Sequence, residues 1–167
     1  LPDIKAIKYF LCLNAERANA FFSTCTILVE GTSEVGLINK LIDDGTIEDA
    51  SGVCVFDCLG KYNVHRFMNL FGKLGICHSV IIDSDNNKTD KKLKFHEELN
   101  ALIETSKNTY TQHIEKIDGN LELFLGIDAK VSGDKKAQVI LLAYESGKIS
   151  RDKIDAFAEI VQRCLKN

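Results

Sequence analysis

The stretch "TCTILVEGTSEVGLINKLI", residues 24–42, decides how the chain is read. An apolar run, Ile27-Leu28-Val29, stops at an acid, Glu30, followed by Gly31. A second acid, Glu34, comes four residues later, where an apolar pattern of helical spacing begins: Val35, Leu37, Ile38, Leu41 and Ile42. Residues 25–30 therefore read as a buried strand and 34–43 as a helix laid back on it.

The same grammar repeats downstream. "GVCVFDCLG" (52–60) reads as a second buried strand. "KYNVHRFMNLFGKLG" (61–75) is a helix with Val64, Phe67, Met68, Phe71 and Leu74 facing inward and Gly75 as its stop. "HSVIIDSDNN" (78–87) supplies a third strand. Near-continuous apolar strands alternating with helices indicate a parallel sheet covered on both faces, hence an α/β fold. Around this core, "NAERANAFF" (14–22) reads as a short helix and "KTDKKLKFHEELNALIETS" (88–106) as a helix with a charged face. "YTQHIEKI" (110–117) reads as a strand and "NLELFLGI" (120–127) as a short helix. Residues 135–146 and 151–165 read as two closing helices, the second behind a Ser150 N-cap.

Bulk properties narrow the function. The chain has 167 residues, enough for one domain with a real core. Its start at Leu1 suggests a piece of a longer protein. A net charge of -3 argues against a broad basic surface for nucleic acid, though not against a local one. No apolar run reaches the length of a membrane span and no signal-peptide pattern opens the chain, so no membrane partner is expected. Cys12, Cys25, Cys54, Cys58, Cys77 and Cys164 contain no C-x-x-C pair and mostly sit in apolar runs. They read as thiols of a reducing, cytoplasmic compartment.

The acids carry the chemistry. In open parallel sheets ligands bind outside the carboxyl ends of the strands. Glu30 ends the first strand there and Asp83 the third. Asp85, two residues on, shares the side of Asp83 if the segment is extended, and Glu34 faces the same rim from its helix. Two carboxylates at ~5 Å repel by roughly 3 kcal/mol at an effective dielectric of 20, so such a cluster calls for cations. All-oxygen donors suit Mg²⁺ or Mn²⁺. Taken alone, Glu34 could be an ordinary acid at a helix N-terminus and "DSDNN" an ordinary turn. Both pairs at successive strand ends favour a metal cradle. Two other motifs fail on their residues: "GTSEVG" lacks the P-loop Lys and Ser/Thr, having Leu37 and Ile38. "DSDNNKTDKKLK" has Lys88 and Lys94 where a calcium loop needs Gly and Glu.

"VEGTSE" followed by "DSD" resembles the Toprim fold, the metal-binding catalytic domain of topoisomerases, primases and several nucleases. "NAERANAFF", "ILVEGTSEVGLINKLI", "LGKYNVHRFMNLFGKLGI" and "LELFLGI" are similar to the C-terminal Toprim region of OLD-family (overcoming lysogenization defect) nucleases. The resemblance implies a Toprim-like Rossmannoid parallel sheet flanked by helices, with a helical insertion in the second half. It divides the chain into 1–23, a connecting helix from an upstream ABC-type ATPase domain; 24–90, the first half of the core; 91–108, the insertion; and 109–167, the second half with the C-terminal helices. It implies a DNA endonuclease working with two Mg²⁺ or Mn²⁺ ions, and it allows a homodimer. Glu30, Glu34, Asp83 and Asp85 match the family's metal acids. Glu122, with Asp118 as the alternative, matches a further ligand, and Lys136 or its neighbour Lys135 a catalytic lysine beside Glu30 and Asp83. Lys88, Lys91, Lys92 and Lys94, just past the D-x-D, could meet DNA phosphates or simply form a solvated helix face, and His65 and Arg66 could be DNA-facing or structural. His78 reads as a satisfied strand residue. Three other classes remain. One is a degenerate Toprim serving only as a scaffold, against which stand all four expected acids. A HAD-type phosphatase also has a D-x-D after an apolar strand, but has Thr or Val where this chain has Asn87. An Mg²⁺-dependent phospho-receiver module would use Asp83 as phosphoacceptor.

Overall fold

The computed structural model describes residues 15–127 and 134–166. After a short helix α1 (Ala15–Ala18) and one 3-10 turn (Asn19–Phe21) the chain alternates: β1 (Cys25–Val29), α2 (Thr32–Asp43), β2 (Val53–Asp57), α3 (Lys61–Leu74), β3 (His78–Asp83). Then come α4 (Asp90–Thr105), β4 (Thr111–Ile117), α5 (Leu121–Leu125), α6 (Asp134–Glu145) and α7 (Arg151–Leu165). The four strands form one parallel sheet in the order β2-β1-β3-β4.

Alternation along the strands builds two cores. Ile27 and Val29 of β1 and Ile81 of β3 face one side, where Leu37, Ile38 and Leu41 of α2, Ile140 of α6 and Phe157 and Val161 of α7 cover them. Leu28, Val80 and Ile82 face the other, under Val64, Phe67, Met68 and Phe71 of α3 and Ile103 of α4. Phe56 of β2 meets Phe67 and Phe71 edge to face, with ring centroids 4.8 and 5.3 Å apart. This is the geometry aromatic rings prefer, worth ~0.5–1.5 kcal/mol per pair beyond the burial itself. Because both faces are covered, Ile27–Val29 of β1 and Val80–Ile82 of β3 are continuous apolar runs rather than alternating positions.

The elements agree with the sequence reading, with three differences. The helix after β1 starts at Thr32 rather than at residue 34, so Glu34 lies inside its first turn. Leu74 is half-exposed, because α3 ends there and Gly75, left-handed at φ 73°, turns the chain away from the core. The acid Glu30 lies just past β1 rather than within it. Cys25, Cys54, Cys58 and Cys164 are buried free thiols and Cys77 an exposed one, while Cys12 lies outside the described residues. No helix among the described residues is long and apolar enough to cross a membrane.

The strand order fixes where a site can form. From β1 the chain steps to β2 on one side, then crosses back over β1 to β3 on the other. The carboxyl ends of β1 and β3 therefore flank the point where successive connections leave in opposite directions, leaving a crevice between them. Glu30 and Asp83 stand at that crevice.

Candidate functional site

Glu30 bridges the two strand ends: its Oε1 accepts the Asp83 backbone N–H at 2.8 Å. Glu34, buried in the first turn of α2, accepts the Gly31 N–H through Oε2 at 3.1 Å. It thus fills the helix N-terminal role expected of an ordinary acid while also facing the crevice. A cleft of about 340 Å³ opens here, lined by Glu30, Glu34, Asp83, Glu122 and Lys136, with Asp57, Leu59 and the Gly31-Thr32-Ser33 turn. Glu122 arrives on α5, whose start is set by Asn120: its side chain accepts the Leu123 N–H at 2.9 Å.

Burial and mutual repulsion make these acids hard to ionise. Burial, with Glu30 and Glu122 adding their charge, pushes Glu34 up to about 7. Asp83 is raised further above the usual carboxylate range by burial, then by Glu30, Glu34, Asp85 and Glu122. Burial raises Glu30 too, against the pull of Lys61. The Oδ1 atom of Asp83 is buried with no hydrogen-bond partner. A carboxylate oxygen held from water and left unpaired costs free energy unless a cation or proton meets it.

Lys61 is the residue that the sequence reading missed. It opens α3, and its buried Nζ donates to the Asp83 carbonyl and to Asp85 Oδ2 at 2.8 Å, standing 3.7 Å from Glu30 Oε1. Asp85 is also met by His96 Nδ1 at 2.9 Å and by Lys88 at 3.8 Å. The expectation that Asp83 and Asp85 share one side rested on an extended segment, and the segment is not extended. The strand stops at Asp83, and Asp85 adopts left-handed φ 54°. The end of β4 holds this turn: Ser84 N–H donates to the Ile117 carbonyl, Asp85 N–H to the Gly119 carbonyl, and Gly119 N–H to Ser84 Oγ. Lys61 follows a Gly at a helix start, a position that sequence patterns normally assign to solvent.

The remaining candidates divide by place. Lys136 Nζ lies 2.6 Å from Glu122 Oε1. Burial opposes its charge, yet the Glu122 hydrogen bond and the charges of Glu122, Asp83 and Glu34 raise it above the ordinary lysine value. Lys135 is exposed and does not line the cleft. Asp118 accepts from Asn86 at 2.6 Å and does not line it either. Lys92 and Lys94 stand on α4, and the Lys91 side chain lies outside the described part. Arg66 donates to Asn63 Oδ1 at 3.2 Å and its guanidinium lies 4.4 Å from the Tyr62 ring centroid. His78 is a satisfied core residue, bonded to the Ile76 carbonyl and to Thr111 Oγ1, each at 2.9 Å.

Leu59, on the cleft wall, is left-handed at φ 58° and 45% exposed. For a leucine that conformation costs about 1–2 kcal/mol. Its peptide groups are pinned on both sides: the N–H donates to Asp57 Oδ1 at 2.6 Å and the carbonyl accepts from Asn63 Nδ2 at 3.0 Å.

The donors fit a hard divalent cation in kind: oxygen only, partly buried, one oxygen unpartnered. As placed, no three acidic, His or Cys side chains among the described residues gather closely enough to hold one ion. Glu122 is turned to Lys136 and Asp85 to Lys61, so cation binding needs rotamer changes at the cleft.

Two outcomes follow. Lys61→Met leaves Asp85 buried beside an apolar group, and removing one partner of a buried ion pair should cost about 3 kcal/mol or more. Urea unfolding should show that loss, with much of it recovered in Lys61→Met/Asp85→Asn. Purely additive losses would show that the pair is not coupled. The acids also set a pH dependence. A carboxyl raised on folding favours the protonated native state, so its contribution is fully present below its ordinary value, 4.5 for Glu34, and lost as pH rises through about 7. Asp83 and Glu30 extend the loss in the same direction. In EDTA, stability should therefore fall as pH rises from about 4.5 through about 7, with Asp83 carrying a shallower fall on to about 9. Glu34→Gln/Asp83→Asn should flatten that slope, and an unchanged slope would place its origin elsewhere.

Residues 21–85 match the family model described as "Overcoming lysogenization defect protein-like, TOPRIM domain". No curated protein matches the chain. Among solved structures, the C-terminal region of the Xanthomonas campestris pv. campestris OLD protein aligns over 87% of this chain and 82% of that one. Its identity is 17% and its TM-score 0.43, too distant to carry residue-level inference. The matched segment holds β1 to β3 and the acids Glu30, Glu34, Asp83 and Asp85, and over these residues the chain is similar to the OLD-like TOPRIM domain.

Proposed function

We propose that this chain is a divalent-metal-dependent DNA endonuclease. The observation that carries the reading is the buried, unpartnered Asp83 Oδ1 in a cleft of acids between the ends of β1 and β3, with the Lys136 ammonium on its wall. The family match supports a nuclease over a HAD-type phosphatase or a phospho-receiver module.

Glu30, Glu34 and Asp83 are the proposed ligands of Mg²⁺ or Mn²⁺, with Glu122 joining when it turns from Lys136. Such ions supply Lewis acidity to a phosphodiester and lower the pKa of a bound water. The chain's own groups do the rest. Glu30 fixes the Asp83 backbone, so that the two strand ends keep their spacing. Lys61 neutralises Asp85 and holds the turn after β3, which makes Asp85 a positioning acid in this structure. Lys136, released from Glu122, offsets charge developing on the phosphoryl oxygens. Lys88, Lys92 and Arg66 are proposed contacts to DNA phosphates, which position the substrate without reading its sequence. The division into a 1–23 connection, a core and a 91–108 insertion, an upstream ATPase domain and a homodimeric assembly belong to the same proposal.

Plasmid nicking tests it. The protein should nick DNA with Mn²⁺ or Mg²⁺ and stop in EDTA, and Asp83→Ala should abolish nicking while remaining folded. Lys136→Ala should lose at least about a hundredfold in turnover, the scale of a removed transition-state donor. It should keep the rise in Tm that Mn²⁺ gives the wild type. Undiminished nicking by Asp83→Ala would overturn the reading.

A further inference from the structure

The cleft has one wall that metal chemistry does not use. Leu59 lines it among carboxylates and a lysine, and is 45% exposed. Exposed leucines are common on protein surfaces and need no explanation one by one. This one differs in two respects. Its backbone is left-handed, a conformation that a leucine adopts only when its surroundings impose it. Those surroundings are specific: Asp57 takes the peptide N–H and Asn63 donates to the carbonyl, so both flanks of the residue are fixed. A glycine or asparagine would satisfy the same turn without strain. The sequence instead places an apolar side chain there and holds it rigidly into the cleft.

Three residues on from Leu59, the first turn of α3 carries a second exposed side chain. Tyr62 is half-exposed, and the Arg66 guanidinium covers its ring at 4.4 Å. The cleft thus sets an apolar side chain among carboxylates, and the first turns of α3, next in the chain, carry an aromatic–guanidinium pair. Once divalent cations offset the carboxylates, as the nuclease reading has it, a ligand that suits both features has a phosphate and, next to it, a flat apolar face: a nucleotide within a strand.

We propose that Leu59 is a wedge that packs against a nucleobase next to the phosphate held in the cleft, unstacking it from its neighbour, with Tyr62 and Arg66 as the adjoining surface. This rests on the nuclease reading. It implies a preference for DNA whose bases separate readily, such as single-stranded, gapped or mismatched segments, because unstacking is then cheapest.

The test uses the 167-residue chain with Ca²⁺, and duplex oligonucleotides carrying 2-aminopurine at successive positions. With the wild type, fluorescence should rise at one position as that base leaves the stack. Leu59→Gly removes the wedge and also relieves the left-handed strain, so its Tm should be no lower than the wild type's. It should lose the fluorescence rise and bind about tenfold more weakly, as expected for one lost base contact. Leu59→Met should keep most of both signals. Retained fluorescence and affinity in Leu59→Gly would overturn the wedge and leave the nuclease reading standing, since wild-type nicking is scored separately. A wild type that binds no DNA and nicks none would overturn the nuclease reading, and the wedge with it.

Discussion

The buried ammonium of Lys61 is the contact on which the arrangement of the site depends. It reaches the carbonyl that ends β3, the Asp85 carboxylate beyond it and the edge of Glu30 beyond β1. Without it, Glu30, Asp83 and Asp85 would share a poorly hydrated crevice with only Lys136, itself turned to Glu122, and the more distant Lys88 as counter-charges, and mutual repulsion would work to open the strand ends. With it, one acid is neutralised and the remainder, Glu30, Glu34 and Asp83, are left raised and under-compensated. The fold therefore supplies part of the charge that the cluster needs, and the rest is met by protons on the raised carboxyls or, in the proposed function, by a divalent cation.

That division explains why a parallel sheet can tolerate such a concentration of acid. The two cores, built from alternate residues of β1 and β3, hold the strand ends rigidly. The cost of gathering like charges is met by packing well away from them. Raised carboxyl groups in a cleft are a place where a fold can give up local stability for chemistry, which is what the proposed function asks of this one.

Most of the architecture was legible in the sequence because two periodicities were clear. Continuous apolar runs at 27–29 and 80–82 marked buried strands, and the 3.6-residue spacing of Val64, Phe67, Met68 and Phe71 marked the covering helix. That Glu30, Glu34 and Asp83 share one cleft was legible because strand-terminal acids break an apolar run abruptly. Leu74 was misplaced because periodicity does not say where a helix ends, and Gly75 ends it there. The direction of Asp85 was misread because it depends on a left-handed turn fixed by Ser84, Ile117 and Gly119, a long-range constraint. Lys61 and Leu59 escaped notice for a related reason. A lysine at a helix start and a leucine before a glycine carry no local sign of being buried or held out, and both are defined only by what the fold brings to them.

The central claim is that the unpaired Asp83 Oδ1 marks a cation site. A crystal grown with Mn²⁺ and measured near the manganese absorption edge tests it directly. The account predicts an anomalous peak in the cleft, in contact with Asp83 and at least one of Glu30 and Glu34, with Lys61 still bonded to Asp85. A cleft without manganese, or manganese bound only by surface acids elsewhere, would contradict it.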